Sequence, residues 1–334
     1  MNAHRISLLR ISPLHISLQR LNPCARLASA LMLAAASAIS AGCASTILSW
    51  GLAQPELAQG DAPRFEPRDA SAAVPRVALV LSGGAARAFA HLGVLRVLER
   101  EGLRPDLVVG SSAGAIVGAL YASGRTVAEI EALAAAIDWP TLIDIDPLKT
   151  LLGGFGLGLA NGDRLEAFLR QAIRVPLQAL PHSFVAVATD LHTGDTVLLN
   201  HGDTARALRA SSAVPGLYEP VRSGERLLGD GQVVSPLPVS AARTLGAQVV
   251  VAIDVVYPPQ HASLTNPVSV LFQTVTISTW RHLIAERTKA DLLVVPDIAP
   301  ARNLALSDRE WLIAAGERAA EAVMPALRQA FAKP

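Results

Sequence analysis

Short apolar runs alternate with longer stretches of helical character from residue 77 to the end of the chain. Val, Leu, Ile and Ala dominate the runs, which predict buried strands at residues 77–81, 107–109, 184–188, 249–253 and 292–295. The stretches between them contain few helix breakers and predict helices. Strands that alternate with helices are typical of an α/β fold with a mostly parallel central sheet. Ligand sites in such sheets lie at the carboxyl ends of the strands.

Two further elements follow from local patterns. Residues 184–188 and 196–199 flank a polar turn at residues 191–195, which indicates a β-hairpin. Asp308 stands in position to cap a last helix that ends near Ala332.

The N-terminal region follows a different pattern. An uncharged, alanine-rich stretch at residues 27–41 comes after a positive region, which is the layout of a secretory signal peptide. The stretch is too short for a transmembrane helix, which needs about 20 apolar residues. The next residues, Ala41-Gly42-Cys43, resemble a bacterial lipobox, although Ser40 stands where such boxes usually carry leucine. The positive region contains Arg5, Arg10, Arg20 and Arg26.

These patterns divide the chain into three parts. Residues 1–43 are expected to be a signal peptide with a lipobox-like end, residues 44–75 a proline-bearing flexible tether, and residues 76–334 the folded domain. We expect export to the bacterial cell envelope, with a membrane surface reached through a lipid anchor on Cys43. An ordinary signal peptide and export without an anchor are the alternative.

Composition and charge exclude several classes of function. Hydrophobic residues make up 51% and charged residues 17% of the chain, which argues against disorder. The net charge of +1 argues against a nucleic-acid partner. Both cysteines, Cys24 and Cys43, precede the expected domain, so it has no disulfide framework and no cysteine metal site. No H-E-x-x-H, EF-hand or Walker motif is present, and we therefore expect no metal and no cofactor.

The strongest chemical signal is the pentapeptide at residues 110–114, Gly-Ser-Ser-Ala-Gly. It lies between the predicted strand at residues 107–109 and an apolar helical stretch at residues 115–121. A G-x-S-x-G sequence on a strand-to-helix turn is a nucleophile elbow. The turn would hold Ser112 above the sheet edge, near the positive end of the following helix.

Two other segments fit the same chemistry. The Gly-rich turn at residues 82–88 joins a predicted strand to a helix, and such turns expose backbone N–H groups that bind anions, either a phosphate or an oxyanion. Asp230 lies between Gly229 and Gly231 after an apolar run. Asp-Gly alone would indicate only a surface turn.

In this order, the segments resemble the patatin-like phospholipase family over roughly residues 77–296. The resemblance implies an α/β three-layer sandwich with a mostly parallel central sheet and a nucleophile elbow. It also implies a lipid acyl hydrolase, a phospholipase A-type serine esterase that acts on carboxylic ester bonds of phospholipids or other lipids through an acyl-enzyme. The resemblance is carried by the Gly-rich turn with Arg87, the elbow at Ser112, residues 189–194, residues 210–216, and Asp230-Gly231 followed by residues 236–238.

The roles of the family's catalytic residues can be assigned to the positions of this chain that match its motifs. The resemblance implies that Ser112 is the nucleophile and Asp230 the general base of a Ser–Asp dyad. It also implies that the backbone amides of Gly83, Gly84 and Ala85 form the oxyanion hole.

The Gly-rich turn departs from the family's pattern, G-G-G-x-[RK]-G, at two positions. Ala85 and Ala88 replace its third and last glycines. An oxyanion amide survives such a change unless its φ must be positive. Arg87 is a candidate ligand for a substrate phosphate, and pairing with a nearby carboxylate is the equal alternative.

Four questions stay open at this point. An aspartate with a pKa of about 3.9 is a weak base, so the dyad requires a desolvated Asp230. A His-assisted α/β-hydrolase esterase would need His261 or His282, and neither has the setting of a triad histidine. A non-catalytic lipid-binding envelope lipoprotein is the third hypothesis. The glycine-hinged apolar segment at residues 139–160 fits a lid or acyl-chain groove as well as a connection packed on the core.

Overall fold

The computed structural model describes residues 62–67, 74–136, 143–144, 156–261, 264–265, 267–298 and 308–332. All of these belong to one compact unit. The expected signal peptide, Cys43, and most of the tether and of the segment at residues 139–160 lie outside the described residues. Within the described part, no helix is long and apolar enough to cross a membrane.

An eight-stranded mixed sheet forms the centre of the domain. The strands of the described part are β1 (Val77–Leu81), β2 (Leu107–Ser111), β3 (Gly158–Ala160), β4 (Ser183–Asp190), β5 (Thr196–Leu199), β6 (Gly216–Tyr218), β7 (Val221–Ser223), β8 (Arg226–Asp230), β9 (Val249–Ile253) and β10 (Leu292–Val294). The strands of the large sheet follow the order β10-β9-β1-β2-β4-β8-β7, and β5 pairs with β4 beside this path. The five strands from β10 to β4 are mutually parallel, whereas β5 and β8 run antiparallel to β4.

Helices cover both faces of this sheet. The helices of the described part are α1 (Phe89–Arg100), α2 (Ala113–Ala122), α3 (Val127–Ala135), α4 (Asp163–Ala172), α5 (Thr204–Ser211), α6 (Val239–Thr244), α7 (Pro267–Arg287), α8 (Arg309–Ala322) and α9 (Met324–Ala332). Alternate side chains of β1 belong to two separate apolar clusters: Leu79 and Leu81 to the larger, Ala78 and Val80 to the smaller. The larger cluster includes side chains of α1 and α2, and the smaller one includes side chains of α6 and α7.

This architecture confirms the predicted α/β fold with a mostly parallel sheet. The hairpin is also present, because β4 and β5 pair antiparallel with Ala186 opposite Leu199. The prediction of one last helix is wrong in its continuity, since the chain forms α8 and α9 with a break at Val323. The end of α9 at Ala332 agrees with the prediction. Asp308 precedes α8 but makes no side-chain capping hydrogen bond.

Candidate active site

Ser112 lies on the turn between the end of β2 and the start of α2. Its backbone has φ 54° and ψ −129°, a region that non-glycine residues avoid at a cost of about 1–3 kcal/mol. The helix then passes close to the end of β1, where a Cβ on Gly114 would lie 2.4 Å from the Ser82 carbonyl oxygen. Glycine at this position therefore lets the elbow approach the Gly-rich turn.

Asp230 ends β8 on the opposite side of β4. Ser111 is in register with Val187 of β4, and Asp230 is in register with Ala188, so Ser112 and Asp230 come level across that strand. Ser112 Oγ donates a hydrogen bond to Asp230 Oδ2 at 2.7 Å. The fold thus brings together the two residues that the sequence places 118 positions apart.

Burial changes the acidity of this carboxyl group. Asp230 is 2% exposed, and desolvation raises its pKa to about 6. Two hydrogen bonds oppose this rise. One comes from the Ser112 hydroxyl, and the other comes from the backbone N–H of Gln232, which donates to Asp230 Oδ1 at 2.7 Å. A carboxylate with this pKa is mostly ionised at neutral pH and is a stronger base than an exposed aspartate.

The Gly-rich turn presents fewer free amides than the sequence indicates. The Gly83 amide donates to the Pro236 carbonyl at 3.0 Å and is therefore engaged within the protein. Among the described residues, no carbonyl accepts a hydrogen bond from the amide of Gly84 or Ala85. Of the three amides predicted to form the oxyanion hole, those of Gly84 and Ala85 are therefore available to a ligand, whereas that of Gly83 is bonded to Pro236, a contact that was not visible in the sequence.

Ala85 has the backbone conformation that the sequence argument identified as critical. Its φ is +50°, and only Ala85 and Ser112 among the described non-glycine residues have positive φ. The left-handed region costs an L-residue about 1–2 kcal/mol. The turn thus keeps a glycine-like geometry although a methyl group is present.

Ala85→Gly is expected to raise the free energy of unfolding by about 1 kcal/mol, because glycine adopts positive φ without steric cost. Tm measured by thermal unfolding should rise by about 2–4 °C. The neighbour Ala86 does not have positive φ, so the matched change Ala86→Gly should lower Tm. Since the turn already has its geometry, kcat should change only a few-fold. A hundredfold gain, worth roughly 2.7 kcal/mol, would mean that the methyl group displaces the amide.

Arg87 lies at the end of the turn with its guanidinium partly buried. Its Nε donates to the Val255 carbonyl at 3.2 Å, and its Cζ lies 5.8 Å from the centre of the Tyr257 ring. Burial lowers the pKa of Arg87. No carboxylate among the described residues forms an ion pair with it.

None of the histidine side chains that the structure describes forms a hydrogen bond with Ser112 or Asp230. His91 is fully buried in α1, where its Nε2 contacts the Ser82 carbonyl at 2.9 Å and burial lowers its pKa to about 4. His282 is exposed on α7. His261 ends a short 3-10 helix, and its side chain lies outside the described residues.

Three polar residues that had no predicted role make hydrogen bonds to Ser112 and Asp230. Ser211 Oγ accepts the Ser112 amide at 3.0 Å, and Thr189 Oγ1 donates to the Asp230 carbonyl at 2.7 Å. The backbone N–H of Gln232 donates a hydrogen bond to the Asp230 carboxylate. Ser211 and Thr189 belong to segments that carry the family resemblance, which was the only signal available for them.

An apolar cavity of about 70 Å³ adjoins the site. Ala85 of the Gly-rich turn and Ala113, which follows Ser112, both line it. The rest of its wall comes from side chains of α1 to α4, among them Ile116, Leu133, Ala134 and Phe168. The cavity thus adjoins the Gly-rich turn and the residue that follows Ser112, and it is lined by apolar groups.

Comparison with known proteins agrees with this architecture. Residues 79–243 match the family model described as patatin-like phospholipase. An uncharacterized NTE family protein of Mycobacterium tuberculosis is 32% identical over 232 residues, which cover 69% of this chain and 60% of that protein. Rat patatin-like phospholipase domain-containing protein 7 is 32% identical over 190 residues, which cover 54% of this chain and 13% of that protein.

A solved structure is also similar. VipD from Legionella pneumophila superimposes with a TM-score of 0.46 at 14% identity, covering 82% of this chain and 72% of VipD. The match with the mycobacterial relative spans 60% of that relative's length. The family model and the NTE family relatives support membership of the patatin-like phospholipase family, and the domain has an α/β fold with a mostly parallel central sheet.

Proposed function

We propose that this chain, whose residues 79–243 match the patatin-like phospholipase model, is a serine hydrolase that cleaves carboxylic esters of phospholipids or related lipids. The observation that carries the proposal is the 2.7 Å hydrogen bond from Ser112 Oγ to the buried carboxylate of Asp230. Serine becomes a good nucleophile only when a base takes its proton. Asp230, with its pKa raised to about 6, supplies that base.

The reaction follows from these positions. Ser112 Oγ attacks the ester carbonyl carbon while its proton passes to Asp230 Oδ2. The oxyanion that forms accepts hydrogen bonds from the amides of Gly84 and Ala85, and a single donor of this kind is worth about 2.7–4 kcal/mol in the transition state. Protonated Asp230 then donates to the leaving alcohol, and an acyl group remains on Ser112. Water then attacks the acyl carbonyl carbon while its proton passes to Asp230. The bond to Ser112 Oγ breaks, the carboxylic acid leaves, and Asp230 returns the proton to Ser112 Oγ.

The surroundings of the dyad support a lipid substrate. The apolar cavity beside Ala85 and Ala113 provides room for the first carbons of an acyl chain, whose burial is worth about 0.8 kcal/mol per methylene. Arg87, with no ion-pair partner in the described part, provides a positive charge for a phosphate group.

Release of free fatty acid from defined phospholipids and simple esters, followed by mass spectrometry, tests the reaction class. Binding of the same lipids without any product would favour the non-catalytic alternative.

Ala134→Phe is expected to reduce kcat/KM for octanoyl esters by about tenfold or more, because the ring would occupy the acyl cavity. The acetyl ester, which does not reach so far, should be hydrolysed at the wild-type rate. The matched control is Ala135→Phe, since Ala135 is the exposed next residue of α3. The measurement is kcat/KM over a series of p-nitrophenyl esters. An equal loss at every chain length would contradict the assignment of the cavity.

We also propose that the protein is exported and anchored to a membrane through a lipid on Cys43. Ala41-Gly42-Cys43 after the apolar stretch supports this proposal, and acylation would add about 0.8 kcal/mol per buried methylene. Mass spectrometry of the mature N-terminus should find a lipidated Cys43. An unmodified terminus at another residue would leave export without an anchor.

A further inference from the structure

The turn at the end of α5 contacts the backbone of both dyad residues. Ser211, the last residue of α5, is fully buried, and its Oγ accepts a hydrogen bond from the Ser112 amide at 3.0 Å. The same hydroxyl donates to the Val187 carbonyl of β4 at 2.6 Å. Two residues later, the Ala213 carbonyl accepts the Asp230 amide at 2.9 Å. One short segment is thus bonded to the nucleophile, to the base and to the strand between them.

The elbow needs such support. Ser112 has φ 54°, which stores about 1–3 kcal/mol of backbone strain and persists only where the surroundings fix it. Its buried amide would lose its acceptor without Ser211, and an unpaired buried donor is costly. A displacement of about 1 Å at a reacting atom lowers rates by roughly a hundredfold. The hydrogen bond to Ser211 fixes the backbone of Ser112, whose Oγ is the attacking atom in the proposed reaction.

We propose that Ser211 is a positioning residue: its side chain, together with the Ala213 carbonyl, holds Ser112 in its strained conformation level with Asp230. This inference rests on the proposed function, because it assumes that Ser112 is the nucleophile. A purely structural serine at the end of α5 would stabilise the fold without any selective effect on the chemical step.

The neighbour Ser212 provides a matched control. Ser212 is also buried, but its Oγ has no hydrogen-bond partner among the described residues. Ser211→Ala and Ser212→Ala therefore remove the same atom from adjacent buried positions. Only Ser211→Ala removes a hydrogen bond to the Ser112 amide.

The test compares wild type with both variants. Ser211→Ala should lower kcat for a soluble ester by about 10- to 100-fold with little change in KM, whereas Ser212→Ala should keep the wild-type kcat. The acid limb of the pH profile should move above pH 6 in Ser211→Ala, because the Ser112 hydrogen bond that lowers the pKa of Asp230 is weakened. Hydrogen exchange of a peptide covering residues 107–118 should accelerate only in Ser211→Ala.

Each outcome decides the proposal. Unchanged kcat and exchange in Ser211→Ala, or an equal loss in Ser212→Ala, would overturn it. If Ser211→Ala does not fold, Ser211→Cys replaces it, since sulfur keeps the shape but is a weak acceptor, and it should also lower kcat. If the wild type hydrolyses no ester, the proposed function fails, and the exchange measurement still decides whether Ser211 holds Ser112.

Discussion

Ser112→Ala is expected to lower kcat for ester hydrolysis by roughly 10⁴-fold or more, the scale of loss when a catalytic serine is removed. The variant lacks the hydroxyl that donates a hydrogen bond to Asp230 and that attacks the ester in the proposed reaction. Alanine bears the same backbone strain as serine, so the fold should be retained. Steady-state hydrolysis and thermal unfolding of the same preparation measure both properties.

Ser111→Ala is the control for this change. Ser111 is the preceding residue of the elbow and is fully buried, and its Oγ has no hydrogen-bond partner among the described residues. Its loss should leave turnover close to wild type. If Ser112→Ala still hydrolyses esters and Ser111→Ala does not, the nucleophile has been assigned to the wrong serine.

Asp230→Asn should lower kcat about as strongly as loss of Ser112, because the amide keeps the shape of the side chain but does not accept the proton. The wild-type kcat/KM should fall as the pH drops below about 6, where Asp230 becomes protonated. His282→Ala is the control, since this residue is exposed on α7. An inactive histidine variant together with a merely slowed Asp230→Asn would favour a His-assisted esterase.

Thermal stability separates loss of chemistry from loss of fold in Asp230→Asn. The pKa of Asp230 is raised from 3.8 to about 6 by folding, so the folded state holds the proton more tightly than the unfolded state. The resulting stabilisation is present below pH 3.8 and is lost as the pH rises through about 6. At pH 8 the ionised, buried carboxylate therefore lowers stability. Asparagine carries no charge, and Asp230→Asn should have a higher Tm at pH 8.

Local patterns were sufficient to predict most of the scaffold. The run at residues 77–81 coincides with β1, and the hairpin follows from two apolar segments around a polar turn. The elbow depends on a strand, a serine between small residues and a helix that are contiguous in the chain, and Ser112 lies on that turn. Such features are determined within a few residues and are therefore visible in a sequence.

Contacts between distant segments were not predictable in the same way. The Gly83 amide is engaged by Pro236, and the Ser112 amide by Ser211, in each case through residues far away in the chain. The positive φ of Ala85 could be named only as a possibility, because an alanine does not reveal the backbone conformation of its turn. The strand β8 and its antiparallel pairing with β4 were not predicted, because a short apolar run does not reveal whether its partner is parallel.

The most direct test of a Ser112 nucleophile activated by Asp230 is labelling with a fluorophosphonate, followed by mass spectrometry of the modified peptide. We expect one adduct per chain, located on Ser112. The adduct should form far more slowly in Asp230→Asn, at the wild-type rate in His282→Ala, and not at all in Ser112→Ala. An adduct on another serine, or labelling at the wild-type rate in Asp230→Asn, would contradict the assignment of Ser112 as a nucleophile activated by Asp230.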